Sequence, residues 1–193
     1  MKLSGSYQIN LEKQKVWEAL NDPEILKKAI PGCEEFTKNS NSKFTAKATN
    51  KIGPFNASFT GDIELNDLNP PNSYKISGSG NSPVGFASGE ANVKLIDHEN
   101  GTKLTYEVEA NVGGKIAQVG SRLIDMTAKK MADIFFKKFS EVISKETITS
   151  NEQINIKEEI SENQTSNKQK SNNKILYYSA SILVAAIIIY LIF

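Results

Sequence analysis

Three side chains in this sequence could take part in catalysis: His98, Cys33 and Arg122. His98 lies among acidic and amide residues in a predicted turn, Cys33 opens a predicted strand, and Arg122 lies early in a predicted helix. Acid–base and nucleophilic catalysis need their groups within hydrogen-bond reach of one another. With one histidine and one cysteine far apart in sequence, no nucleophile–base pair can be assigned. We predict no catalytic residue, with His98 solvated and Cys33 packed. Arg122 lies on the surface, caps a pocket or binds a carboxylate of a partner.

Signatures of metal, phosphate and nucleic-acid binding are missing from the sequence. No group of residues has metal-ligand spacing, and Gly113-Gly114-Lys115 is too short to cradle a phosphate. The 23 basic and 22 acidic residues give a net charge of +1, without a basic face for nucleic acid. The single cysteine excludes an intrachain disulfide and fits a reducing compartment. We therefore expect a binding protein with no metal, no covalently bound cofactor and no nucleic-acid partner.

The middle of the chain alternates apolar and polar residues with the period of a β-strand. The alternation is clearest over residues 55–65, and it recurs over 44–49, 74–80, 84–96 and 104–112. Pro70-Pro71 and Asn100-Gly101 separate successive runs and are typical of turns. The pattern predicts an antiparallel meander.

Predicted helices flank this sheet on both sides in sequence. Two short ones are expected at 12–20 and 23–30, the second capped by Asp22 with Pro23 in its first turn. Residues 118–144 predict one long helix. Its apolar stripe would consist of Ile124, Ala128, Met131, Phe135, Phe139 and Val142. The expected order is one strand, two short helices, six strands and a long helix.

Small residues recur on the alternating faces of the predicted strands, among them Gly61, Gly78 and Gly80. They would permit strong curvature, and they could also leave a cavity between sheet and helix. The residues predicted to line an apolar cavity are Phe59, Ile63, Tyr74, Ile76, Phe86, Tyr106, Leu123, Met126, Met131 and Phe135. The same residues would fill an ordinary core, so both interpretations stay open.

The last segment of the sequence, from Ile175 to Phe193, contains no charged residue. As a helix it would span roughly 28 Å, close to the thickness of a bilayer core. Tyrosines lie near both of its ends, and Lys168, Lys170 and Lys174 precede it. By the positive-inside rule this predicts a single-pass, C-terminal membrane anchor with the preceding domain in the cytoplasm.

Composition divides the chain into three parts. Residues 1–145 form the predicted domain, and residues 175–193 form the predicted anchor. Residues 146–174 contain no glycine, proline or aromatic residue and are rich in polar side chains, so they predict a disordered linker. As a flexible coil, its ends would lie on the order of 30 Å apart.

Five segments of the sequence form a recognisable set: MKLSGSY at 1–7, VWEALNDPE at 16–24, IPGCE at 30–34, DLNPPNSY at 67–74 and VGGKIAQVGSRLI at 112–124. Together they resemble the CoxG family of carbon monoxide dehydrogenase subunits, within the START-like and polyketide-cyclase (SRPBCC) superfamily. The resemblance covers residues 1 to about 140. It implies an α+β helix-grip fold of the START/Bet v 1-like type, in which a curved antiparallel sheet wraps a long C-terminal helix.

The resemblance also implies a non-catalytic accessory role. The expected function is to recruit a cytoplasmic carbon monoxide dehydrogenase, or a related molybdenum hydroxylase, to the cell membrane. A hydrophobic ligand such as a quinone would occupy the grip. The alternatives are a scaffold without ligand and a general lipid-binding protein. A cyclase-like enzyme is disfavoured because the acid–base groups are missing.

Overall fold

The structure, a computed structural model, describes the backbone of residues 1–159 and the side chains of residues 1–56 and 58–145. The described elements follow the predicted order. They are β1 (Lys2–Ile9), α1 (Lys13–Ala19), α2 (Pro23–Ala29), β2 (Cys33–Lys38), β3 (Lys43–Ile52), β4 (Phe55–Asn69), β5 (Ser73–Ser82), β6 (Gly85–His98), β7 (Gly101–Gly114), a 3-10 turn over Lys115–Val119, and α3 (Ser121–Glu159).

The strands form one seven-stranded antiparallel sheet in the order β1-β7-β6-β5-β4-β3-β2. Sequential strands from β2 to β7 are neighbours, as expected of a meander, and β1 closes the far edge against β7. The alternation seen in the sequence sets which face is buried. On β3, for example, Phe44, Ala46 and Ala48 are buried, while the residues between them are more exposed. The predicted antiparallel sheet is confirmed.

The two short helices fill the connection between β1 and β2. Asp22 caps α2 as predicted, because its Oδ1 accepts hydrogen bonds from the backbone N–H of Glu24 (2.8 Å) and Ile25 (3.4 Å). On α1, the Trp17 ring meets the ring of Tyr74 edge-on at 5.5 Å. These contacts attach the helical connection to the buried face of the sheet, and α2 also packs against α3.

The predicted long helix is present, but the prediction of its buried face is partly wrong. The buried residues of α3 are Ala128, Ala132, Phe135, Phe136, Phe139 and Ile143. Ile124, Met131 and Val142, predicted on the core stripe, are only partly buried. The helix is rotated about its axis relative to the prediction, which brings Phe136 into the core. It also begins at Ser121 rather than at residue 118, because Gly120 has φ of +90°, which ends the preceding turn.

The structure describes α3 as far as Glu159, so the helix includes the beginning of the segment predicted as a linker. A run rich in Glu and Lys without Gly or Pro has adequate helix propensity, and the prediction of a linker from residue 146 gave that propensity too little weight. The remaining linker and the predicted anchor, residues 175–193, lie outside the described residues. Within residues 1–159, none of the helices is long and apolar enough to span a membrane.

Candidate functional site

The ten residues predicted to line an apolar cavity fall into two groups in the structure. Six lie together in the core between sheet and helix, each at most 3% exposed: Phe59, Ile63, Tyr74, Ile76, Tyr106 and Phe135. Met131 is partly buried. The other three, Phe86, Leu123 and Met126, are 45%, 37% and 62% exposed. Phe86 belongs to the opposite face of the sheet, because its neighbour Ala87 points inward.

Small residues line both sides of this core. Across the sheet, Ala46, Gly61, Gly80 and Ala87 are register partners in one row. Gly78, Gly89 and Ala110 are partners in the next. The helix contributes Ala128 and Ala132. The alanines in these rows and on the helix are at most 8% exposed, so neighbouring side chains cover them. A ligand between sheet and helix would have to displace those side chains.

A polar cluster fastens the middle of α3 to β1. The Tyr7 hydroxyl donates a hydrogen bond to Asp133 Oδ1. The Tyr7 ring stacks on Phe136 with ring centroids 3.7 Å apart, and on Tyr106 at 6.2 Å. Burial and the bond to Asp133 raise the pKa of Tyr7 above its ordinary value, and burial does the same for the pKa of Tyr106. We call Tyr7, Tyr106, Asp133 and Phe136 the α3 clamp.

Sequence reasoning missed a charged residue on the core-facing side of α3. Asp125 is only partly exposed, and its Oδ1 is buried with no hydrogen-bond partner among the described residues. Asp125 lies three and seven residues before Ala128 and Ala132, so helical periodicity could have placed it on the same face of the helix. The predicted apolar stripe began at Ile124, and Asp125 was therefore not part of it.

A groove of about 1040 Å³ lies on the face of the sheet that points away from α3. Its polar lining includes Asp62, Ser77, Ser79, Ser88 and Asn111, and Gly78 and Gly89 contribute to its floor. At its rim Lys2 pairs with Glu109 (2.7 Å) and Lys43 with Glu64 (3.5 Å). This groove could not be found from sequence because alternating polar residues predict only a solvated face. Its hydroxyl and carboxylate groups suit hydrogen bonding to a polar partner.

The three candidate catalytic side chains do not meet. His98 is exposed at the end of β6, and Cys33 lies at the start of β2, four strands away. The pairing register brings Cys33 level with the start of β6 near Gly85, whereas His98 lies at the other end of that strand, so the two side chains are far apart. Arg122 is exposed near the start of α3. Burial raises the pKa of the Cys33 thiol to about 11, which disfavours the nucleophilic thiolate. Among the described residues, no group of three or more His, Cys, Asp or Glu could hold a metal ion.

A curved antiparallel sheet, two short helices after its first strand and a long C-terminal helix against its buried face define a helix-grip protein. The chain belongs to the CoxG family of carbon monoxide dehydrogenase subunits, whose sequence model matches residues 5–144. That match covers nearly the whole sheet and the packed part of α3. No curated protein matches the chain significantly.

Solved structures agree with this fold. A conserved protein from Geobacillus kaustophilus is 33% identical, with a TM-score of 0.72 over 75% of this chain and 96% of its own. An uncharacterized protein from Rhizobium leguminosarum is 14% identical (TM-score 0.57), covering 75% of this chain and 95% of its own. The ZhuI aromatase/cyclase from Streptomyces sp. R1128 is 10% identical (TM-score 0.55), covering 76% and 95%. At such low identity, the last two show the fold alone.

Proposed function

We propose that this protein is a membrane-anchored accessory protein that recruits a cytoplasmic carbon monoxide dehydrogenase, or a related molybdenum hydroxylase, to the cell membrane. The observation that carries the proposal is the family match over the grip domain. The uncharged segment 175–193, preceded by lysines, supports a single-pass C-terminal anchor with the domain in the cytoplasm. The scattered candidate catalytic groups support a non-catalytic role.

Flotation of liposomes tests recruitment. Liposomes carrying the full chain are mixed with the purified dehydrogenase from the same organism and floated on a density gradient. The control is a chain ending at Glu159, which keeps every described element. We expect the enzyme to float with the full chain, and to bind the shortened chain only in solution. Enzyme that binds neither protein would refute recruitment, and flotation with the shortened chain would refute the anchor.

We further propose that the grip accommodates a lipophilic ligand such as a quinone. The rows of small residues on the sheet, facing Ala128 and Ala132 on α3, support this because they leave the backbones free of bulky side chains. The second candidate function is a scaffold without ligand. The near-complete burial of Phe59, Ile76 and Phe135 favours the scaffold, since these side chains already fill the interior.

Two substitutions on β7 separate these alternatives. Ala110→Leu adds volume on the buried face, while Lys103→Leu adds it on the opposite, exposed face. If the grip holds a ligand, organic extraction and mass spectrometry of the purified full chain will find it with wild type and Lys103→Leu, and reduced with Ala110→Leu. Recruitment should persist in both variants. An extract without lipophilic ligand from correctly folded wild type would favour the scaffold.

A further inference from the structure

The long helix carries the excess positive charge of the grip domain. Residues 121–145 include six basic and three acidic residues, whereas residues 1–120 include 13 basic and 14 acidic ones. Two of the three acids are not free on the surface, because Asp125 is partly buried and Asp133 accepts a hydrogen bond within the α3 clamp. Residues 146–159 continue the helix with four acidic residues and one lysine. The positive charge is therefore confined to the part of α3 that packs against the sheet.

Two of these lysines share one side of α3 with two exposed apolar residues. We call the four residues the lysine face: Leu123, Met126, Lys130 and Lys137. They follow one another at spacings of three, four and seven, on the side of the helix opposite its buried stripe. All four are exposed, Met126 by 62%. No ion pair among the described residues involves either lysine. Glu141 follows on the same side and is the acidic exception.

The turn between β3 and β4 adjoins the apolar end of the lysine face. A Cβ built on Gly53 would lie 3.2 Å from Leu123 Cδ2 and 3.4 Å from Val119 Cγ1. Pro54, the next residue of this turn, is exposed. Exposed apolar residues from two elements thus lie side by side where α3 begins, and the positive charge continues along the helix from there.

An anionic lipid surface fits this combination better than a protein surface does. Lysine is depleted at protein–protein interfaces, whereas lysines close to a bilayer with anionic lipids are attracted to it. Exposed leucine and methionine side chains can enter the boundary between headgroups and acyl chains. Only 15 residues separate Glu159 from the predicted anchor at Ile175, which is roughly 50 Å at full extension. The bilayer is therefore within reach of α3.

We propose that the lysine face of α3 lies on the anionic lipid surface of the membrane that holds the anchor, with Leu123 and Met126 at the level of the headgroups. This inference rests on the anchor of the proposed function and adds an orientation to it. Because α3 packs against the inner face of the sheet, the outer face and its groove then point away from the bilayer. A soluble enzyme can approach the domain from that side.

Tryptophan quenching in liposomes tests the contact. The sequence has one tryptophan, Trp17, which is 4% exposed, so wild type gives the background. The full chain with Met126→Trp is inserted into liposomes of brominated phosphatidylcholine, with or without brominated phosphatidylglycerol. We expect quenching to be about twofold or more stronger in the anionic liposomes, and the difference to disappear in about 1 M salt. Glu107→Trp, on the outer face of β7, should be quenched in neither.

Two matched double variants assign the attraction to α3. Lys130→Glu/Lys137→Glu reverses two charges of the lysine face, and Lys94→Glu/Lys103→Glu reverses two exposed charges on the outer face of the sheet. Each lysine close to an anionic surface contributes about fivefold to binding. The first pair should therefore weaken the contact by about 25-fold or more and abolish the extra quenching of Met126→Trp. The second pair should leave it intact.

Quenching of Met126→Trp that is equal in the two kinds of liposome, or lost equally with both charge pairs, would overturn the proposal. So would loss of dehydrogenase flotation in Lys130→Glu/Lys137→Glu with unchanged quenching, because the face would then bind the enzyme. Neutral liposomes separate the anchor from the lysine face. If the full chain does not float with them, the anchor fails and this inference fails with it. If the full chain floats but is not quenched in anionic liposomes, only the lysine face is refuted.

Discussion

The rotation of α3 can be tested by comparing Phe136→Ala with Met131→Ala. The sequence places Met131 on the core stripe, whereas the structure buries Phe136 to 2% exposure and leaves Met131 partly exposed. Phe136 also stacks on Tyr7 and meets the Phe135 ring at 5.1 Å. Truncating a buried phenylalanine costs about 3–5 kcal/mol, and truncating a partly exposed methionine should cost less than about 2 kcal/mol.

These costs are large compared with the total stability of a domain, about 5–15 kcal/mol. Since 1 kcal/mol shifts the melting temperature of a chain this long by about 2–4 °C, Phe136→Ala should lower it by roughly 6–20 °C. Circular dichroism of the full chain in mild detergent measures the shift, and urea titration gives the free energy of unfolding. A larger loss from Met131→Ala than from Phe136→Ala would refute the rotation.

Three further predictions concern other parts of the domain. Asp22→Ala should lower the free energy of unfolding by about 1 kcal/mol because α2 loses its cap, while Asp22→Asn should keep most of it in the same urea titration. Gly32→Ala should lower the free energy of unfolding more than Gly120→Ala does. Both glycines have positive φ, but an added Cβ meets the Asn50 side chain only at Gly32. Equal losses of unfolding free energy in the two variants would contradict this prediction. With the pKa of Cys33 at about 11, roughly one thiol in a thousand is ionised at pH 8, so alkylation should be slow and should accelerate about tenfold per pH unit up to that pKa. Rapid labelling of the folded protein at pH 8 would contradict the raised pKa of this partly buried thiol.

The sheet could be predicted from sequence because one short-range rule governs it. Alternation with period two fixes which face of a strand is buried, and turn residues such as Asn100-Gly101 fix where strands end. The Asp22 cap is equally local, since it needs only its own side chain and the next turn. These features hold without knowledge of the tertiary structure.

The face of α3 depended on contacts distant in sequence. The predicted stripe through Met131 and the observed one through Phe136 are both apolar, so periodicity alone cannot choose between them. The choice is made by β1, where Tyr7 offers a ring to Phe136 and a hydroxyl to Asp133. Periodicity also could not tell Ile124 from Asp125 at the start of the helix, because both are only partly buried.

The α3 clamp indicates which part of the long helix is held most firmly. Tyr7 and Phe136 fasten the middle of the helix to β1, and α2 packs against it as well. The first turns have weaker attachments, since Arg122, Leu123 and Met126 are exposed and Gly120 precedes them in a conformation that favours glycine. Regions with few buried contacts open at the lowest free energy. The beginning of α3 should therefore open first, and hydrogen exchange of its backbone amides would show less protection there than in the turn around Phe136.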